Sequence, residues 1–207
     1  MASHFEASGQ GRVVAYTVDR AYLDGATFEG RPLVAFDEVE ARYPPLTHSM
    51  FVAIGYRSMR ARQTLFERAR ARGYPLPGFV SPHALTPPGF EPGQNNVLLD
   101  QVLVEPFATI GHNNVFWSGT IVCHDVRVGD HCYFGARCVL GGGTKVEQGS
   151  FLGNAVTTID HVTLAPETQV LPGSVVFQDT LAYTRYLGSP ARAIGRHEER
   201  GITIERA

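Results

Sequence analysis

The residues of this 207-residue chain best suited to acid–base, nucleophilic or metal chemistry are its eight histidines and three cysteines. His124 stands in the run Val122-Cys123-His124-Asp125, beside an acidic residue. Gly142, inside Gly141-Gly142-Gly143, lies 18 positions further on, and Asp160 another 18. An imidazole with a pKa of about 6.5 can take a proton from an amine or hydroxyl at neutral pH. A bare glycine N–H can meet the oxyanion of a tetrahedral intermediate, and a glycine lets substrate approach closely. Histidine, acidic neighbour and glycine therefore make a workable acyl-transfer set, if the chain stacks them. His112, His131 and His161 share the region, so position alone does not single out His124. The cluster Cys123-His124, His131-Cys132 and Cys138 lacks the paired CxxC or HxxxH spacing of a zinc site, so no metal is expected. Cys123 as a nucleophile is a lesser alternative, because nothing nearby marks its thiol for a lowered pKa.

What would stack these residues is a repeat. Every sixth residue from Leu98 reads Leu98, Val104, Ile110, Phe116, Val122, Val128, Phe134, Leu140, Val146, Leu152, Thr158, Leu164, Val170, Val176, and 13 of these 14 are aliphatic or Phe. Two positions earlier, from residue 108 onward, stand small or β-branched residues and Asn, including Cys132 and Cys138. Neither the helical period nor the strand period gives this pattern. A hexapeptide repeat with glycine often following the apolar residue is the signature of a parallel β-helix. Three hexads close one triangular coil of 18 residues, so residues 18 apart lie roughly 4.8 Å apart, as neighbouring strands do. This places Gly142 one coil from His124 and sends Cys132 and Cys138 into the interior as packing residues.

The first half has a different rhythm. Val13–Val18, Leu33–Phe36 and Met50–Ile54 read as strands. Asp37 is suited to cap a short helix over Glu38 to Arg42, and Ser58 to cap one through Arg72, stopped by Gly73 and Pro75. Alternating strands and helices predict a small α/β unit. Six prolines from Pro75 to Pro92 read as a link. The expected divisions are an α/β unit over 1–80, a linker over 81–97, a β-helix over 98–180 and a tail over 181–207. Formal net charge is −2, which supplies no basic field for nucleic acid or an anionic membrane. No apolar run reaches transmembrane length and no signal-peptide pattern opens the chain. Three clustered cysteines do not form a disulfide framework, so a cytoplasmic setting is expected.

The hexads, the segment Cys123-His124-Asp125-Val126-Arg127-Val128-Gly129-Asp130 and the tail Leu187-Gly188-Ser189-Pro190-Ala191-Arg192-Ala193-Ile194 resemble bacterial sugar acetyltransferases, the sialic-acid O-acetyltransferase and nucleotide-amino-sugar N-acetyltransferase group. Val14–Asp19, Phe28–Pro32 and Phe51–Arg57 extend the likeness over nearly the whole chain. It implies a left-handed β-helix behind a Rossmann-like domain, a homotrimer, and acetyl-CoA in the groove between copies. Transfer is then direct, to the amino group of a nucleotide-linked amino sugar. His124 matches the general base, Asp125 the acidic residue that orients it, and Gly142 the position whose N–H faces the thioester carbonyl. Asn154, Pro172, Gly173, Pro190 and Arg192 match a CoA-lining column. Asp19, Gly55, Tyr56 and Arg57 match the nucleotide side. Members of the group open with a strand and a Gly-rich turn, whereas Met1-Ala2-Ser3-His4-Phe5-Glu6 looks like the end of the following helix, so the front reads as truncated.

Three other readings compete. One is transfer to a sugar hydroxyl. Another is a zinc carbonic anhydrase on the same coil, which needs three histidine ligands that the spacing of His112, His124 and His131 does not supply. The last is a non-catalytic trimeric scaffold.

Overall fold

A computed structural model describes residues 1–53, 55 and 57–204 of the chain. From Phe79 to Val176 the backbone winds as a parallel β-helix, built from two-residue strands whose partners sit 18 residues apart. It has three faces. The first stacks Phe79–Val80, Val97–Leu98, Val115–Phe116, Tyr133–Phe134, Phe151–Leu152 and Gln169–Val170. The second stacks Leu103–Val104, Ile121–Val122, Val139–Leu140, Thr157–Thr158 and Val175–Val176. The third stacks Thr109–Ile110, Arg127–Val128, Lys145–Val146 and Thr163–Leu164. The hexad residues point inward and form one continuous core, in which Phe116 stacks on Phe134 at 4.5 Å. Each buried side chain of this size contributes about 1.5–3 kcal/mol. The one hydroxyl among the hexad positions, Thr158, is buried and bonded to Thr144 Oγ1 and the Gly141 N–H. Cys132 and Cys138 lie in this interior, their thiols donating to the carbonyls of Glu147 and Gly153.

Turning the chain at each corner needs a residue in the left-handed region. Positive φ recurs at every sixth position from Asn95 to Gly173, and only Gly119, Gly143, Gly149 and Gly173 among them are glycine. The glycines after the apolar residues serve another purpose. A Cβ on Gly111, Gly135, Gly141 or Gly153 would come within 2.2–2.7 Å of the side chain of Asp130, Asn154, Asp160 or Pro172, one coil on. Glycine there gives clearance between coils.

The ladder starts earlier than the sequence reading placed it. Phe79–Val80 pairs with Val97–Leu98 and Leu85 bridges Leu103, so the proline-rich stretch is itself a coil. The prolines fall where no ladder donor is needed; Ser81 and Leu85 supply the N–H groups.

Ahead of the coils, helix α1 (Ala2–Ala7) precedes a three-stranded sheet ordered β1 (Tyr16–Val18), β3 (Arg31–Ala35), β2 (Thr27–Phe28). The β1–β3 pair is parallel and the β2–β3 pair antiparallel. Helix α2 (Val39–Arg42) is not capped by Asp37, whose carboxylate instead meets Arg20 at 3.0 Å. Helix α3 (Met59–Ala71) begins with the Ser58 hydroxyl accepting the Ala61 N–H. The expected strand at Met50 does not form over its described residues. Both backbone groups of Val52 are taken by the Asn95 side chain, and the Met50 N–H by Pro75, so the segment is satisfied without a strand partner. Ile54, its last residue, lies outside the described residues.

Arg62 of α3 pins this unit to the β-helix. It is 1% exposed and donates to the carbonyls of Asn113 and Cys132 and to Asn113 Oδ1. Burial pushes its guanidinium down to about 10. Arg60, Arg68 and Arg70 on the same helix and Arg72 at its C-cap all keep access to solvent, whereas Arg62 is buried. At the far end, Thr184–Leu187 extends the first face and Arg192–Arg196 pairs with it antiparallel. The chain then returns to α3, where the Met59 N–H meets the Ile202 carbonyl. Among the described residues no helix is long and apolar enough to cross a membrane.

Candidate active site

His124 sits at the corner between the second and third faces, two residues past the inward Val122. Its side chain is 60% exposed, open to a substrate from solvent. Nδ1 lies 2.9 Å from Asp125 Oδ2. A carboxylate only accepts, so Nδ1 carries the proton and the free lone pair is on Nε2. Among the described residues Nε2 has no hydrogen-bond partner. Asp125 holds the imidazole above the usual histidine range, chiefly through this hydrogen bond, with Glu105 and Asp160 adding negative charge. Asp125 itself occupies a positive-φ corner, which aims its side chain back toward the ring.

Gly142 lies directly against the imidazole. A Cβ there would stand 2.7 Å from His124 Cε1 and 2.8 Å from Nε2, so glycine is what lets the ring lie where it does. The N–H assigned to the thioester carbonyl is not available: it donates to Asp160 Oδ1 at 2.9 Å. This bond belongs to a recurring corner device. His112 N–H donates to Asp130, Ala136 N–H to Asn154, and Gln94 N–H to His112 Nδ1, each across 18 residues. The Gly141 and Gly143 N–H groups are likewise taken, by Thr158 Oγ1 and the His124 carbonyl. Gly142 therefore gives space, with its donor already used.

The same device separates His124 from two of the other coil histidines. His112 spends Nδ1 capping Gln94, and His131 is buried with Nδ1 on Asn113. The residue 18 before His124 is Pro106, which has no N–H to cap, so the His124 ring has no structural duty above it. Nothing in the bare histidine count revealed this; the pairing of Pro106 with Gly142 did. Glu105, which accepts the His124 N–H at 2.8 Å, was missed from sequence because its partner is 19 residues away. Cys123 is half-buried, and burial pushes its thiol up, with Glu105 and Asp160 adding to the effect. That is the wrong direction for a nucleophile. Among the described residues no group of His, Cys, Asp or Glu has the geometry of a metal site.

The residues matched to CoA divide between two corners. Asn154, Pro172 and Gly173 stack at the corner between the first and second faces, where Gly173 N–H meets the Asn154 carbonyl. Asn154 also caps Ala136, so its side-chain oxygen is occupied. Arg192 belongs to the other corner. It lines a cleft with Phe177, Gln178, Leu181 and Tyr186, and Gln178 continues the His124–Gly142–Asp160 column by 18 residues. Pro190 is exposed on the hairpin turn beside it. On the nucleotide side Asp19 is held by both terminal nitrogens of Arg68, which keeps its carboxyl below the usual range. Gly55 and Arg57 are exposed, and no hydrogen bond or ion pair among the described residues joins them to Asp19. Tyr56 lies outside the described residues.

Comparison with known proteins agrees with the coil. Residues 107–142 match the family described as bacterial transferase hexapeptide (six repeats). A curated UDP-3-O-acylglucosamine N-acyltransferase from Caulobacter sp. is 31% identical over 88 residues, covering 42% of this chain. That match spans only 26% of the relative. Perosamine N-acetyltransferase from Caulobacter crescentus, solved with CoA and GDP-perosamine, is 29% identical with a TM-score of 0.82, over 93% of this chain and 90% of that one. The acetyltransferase domain of PglB from Neisseria gonorrhoeae, solved with acetyl coenzyme A, has a TM-score of 0.83 at 21% identity, over 93% and 92% of the two chains, a likeness of fold. The chain thus carries the bacterial transferase hexapeptide repeat over residues 107–142, and over nearly its whole length it is similar in fold to sugar N-acetyltransferases solved with CoA.

Proposed function

We propose that the protein transfers an acetyl group from acetyl-CoA to the amino group of a nucleotide-linked amino sugar, with His124 as general base. The observation that carries this reading is the His124 imidazole lying over Gly142, with Nδ1 on Asp125 and Nε2 without a partner among the described residues. Nε2 takes a proton from the attacking amine as it adds to the thioester carbonyl. The tetrahedral intermediate then collapses, the C–S bond breaks, and the imidazolium returns the proton to the CoA thiolate. No acyl-enzyme is formed, consistent with the raised Cys123 thiol. The perosamine enzyme, solved with a nucleotide sugar, supports the acceptor class. In this reading the parallel β1–β3 pair and its helices belong to a Rossmann-like domain facing the nucleotide.

The working form is a homotrimer. The outward side chains of the second face are Leu103, Ile121, Val139, Thr157 and Val175, four of the five apolar, whereas those of the third are Thr109, Arg127, Lys145 and Thr163. The first face is already covered by α3 and the returning tail. Packing three second faces about an axis brings the His124 corner of one copy beside the Asn154–Pro172 corner of the next, and acetyl-CoA lies between them. A cytoplasmic location follows from the supply of both substrates. The test is His124→Ala: the expected result is loss of CoA release with an unchanged trimer by light scattering. Unchanged turnover removes His124 from the reaction.

A further inference from the structure

His124 has an unusual backbone problem. At the corners, an N–H is satisfied by the side chain 18 residues later, as His112 is by Asp130, Ala136 by Asn154 and Gly142 by Asp160. For His124 that side chain belongs to residue 142, which is glycine. The clearance the imidazole needs from Gly142 therefore takes away the cap that its own N–H would have had. Glu105 makes good the loss from the opposite side, its Oε2 accepting the His124 N–H at 2.8 Å from the preceding coil.

We propose that Glu105 is a positioning residue for His124, acting through this hydrogen bond; the proposal rests on the acyl-transfer reading. Two neighbouring contacts make the corner depend on it. The Asp125 N–H reaches only the Pro106 carbonyl, at 3.3 Å, and Pro106 has no N–H to offer. The imidazole is 60% exposed, so solvent does nothing to hold the ring over Gly142. Glu105 itself is half-buried, which limits the positions its carboxylate can take. A His124 backbone left without this acceptor can relax outward, taking Nε2 and the Asp125 contact with it.

The experiment compares Glu105→Ala and Glu105→Gln with the wild type. Gln keeps an oxygen at the accepting position; Ala removes it. Expected for Glu105→Ala is a fall in kcat of about 10- to 100-fold, the scale of a ~1 Å misplacement, with KM for acetyl-CoA unchanged. Glu105→Gln is expected to recover kcat to within about threefold of wild type, as a kept hydrogen bond requires. Amide hydrogen exchange of His124, followed with 15N-histidine-labelled protein, is expected to be protected in wild type and Gln and lost in Ala. An Ala variant with normal kcat, or a Gln variant as impaired as Ala, overturns the proposal. Should the wild type show no acetyl transfer, the acyl-transfer reading fails. The exchange comparison then still decides whether Glu105 holds the His124 backbone, since it needs no turnover.

Discussion

Replacing Gly142 by alanine puts a methyl group into the contact that defines the site. The new Cβ would stand 2.7 Å from His124 Cε1, and ordinary van der Waals contact begins at 3.4 Å, so the ring must retreat by about 0.7 Å. Gly142 has no left-handed backbone requirement, so the substitution brings no φ strain of its own. Gly142 is buried, but the ring it touches is largely exposed and free to swing, which keeps the folding cost to about 1 kcal/mol. Chemistry is less forgiving. A displacement approaching 1 Å costs about 10²-fold in rate, or about 2.7 kcal/mol of barrier. The assay is steady-state CoA release with acetyl-CoA and a nucleotide amino sugar, run beside thermal unfolding. Expected is a kcat lower by about 10²-fold, an unmoved melting temperature and little change in KM for acetyl-CoA. A Gly142→Ala enzyme with wild-type kcat would refute the claim that His124 works from its place against Gly142.

The pH profile follows from Asp125. Because the imidazole is held above its ordinary pKa, the neutral base is lost as pH falls through that raised value, and kcat/KM declines with it. Asp125→Asn removes the main cause, so the acidic limb is expected to move to lower pH; a limb that stays put assigns it to another group. Arg62→Ala strips donors from the carbonyls of Asn113 and Cys132 inside a buried junction, and is expected to destabilise by about 3 kcal/mol or more in urea unfolding. A loss under 1 kcal/mol would show that α3 is held by its apolar face alone. Cys123→Ser is expected to keep turnover near wild type, since its thiol is pushed up; loss of activity there would revive a covalent route.

The coil was legible because its signal repeats. Each hexad residue that points inward is read independently in the sequence, and the register carries His124 over Gly142 without any structure. The corner caps were harder to see. They depend on which side chain answers a given N–H, and acceptors such as Asp130 and Asn154 look like ordinary polar corner residues until the coils are stacked. That is why the Gly142 N–H was assigned to catalysis when Asp160 already holds it. The front half was read least well. At Val52 the pairing that would have made a strand is supplied by an Asn95 side chain 43 residues away, a substitution with no local pattern. Arg62 is hidden in the same way: nothing local distinguishes it from the other arginines of its helix, and its burial is answered by Asn113 and Cys132 across the junction.

The corner caps also bear on how the protein could be rebuilt. Repeat architectures distribute stability between nearest neighbours, so whole 18-residue coils can in principle be copied, removed or exchanged as modules. The His124 coil is an exception. Its backbone is anchored by Glu105 from the coil before, and its ring is accommodated by Gly142 from the coil after. A graft of this chemistry onto another β-helix must carry all three coils as one cassette.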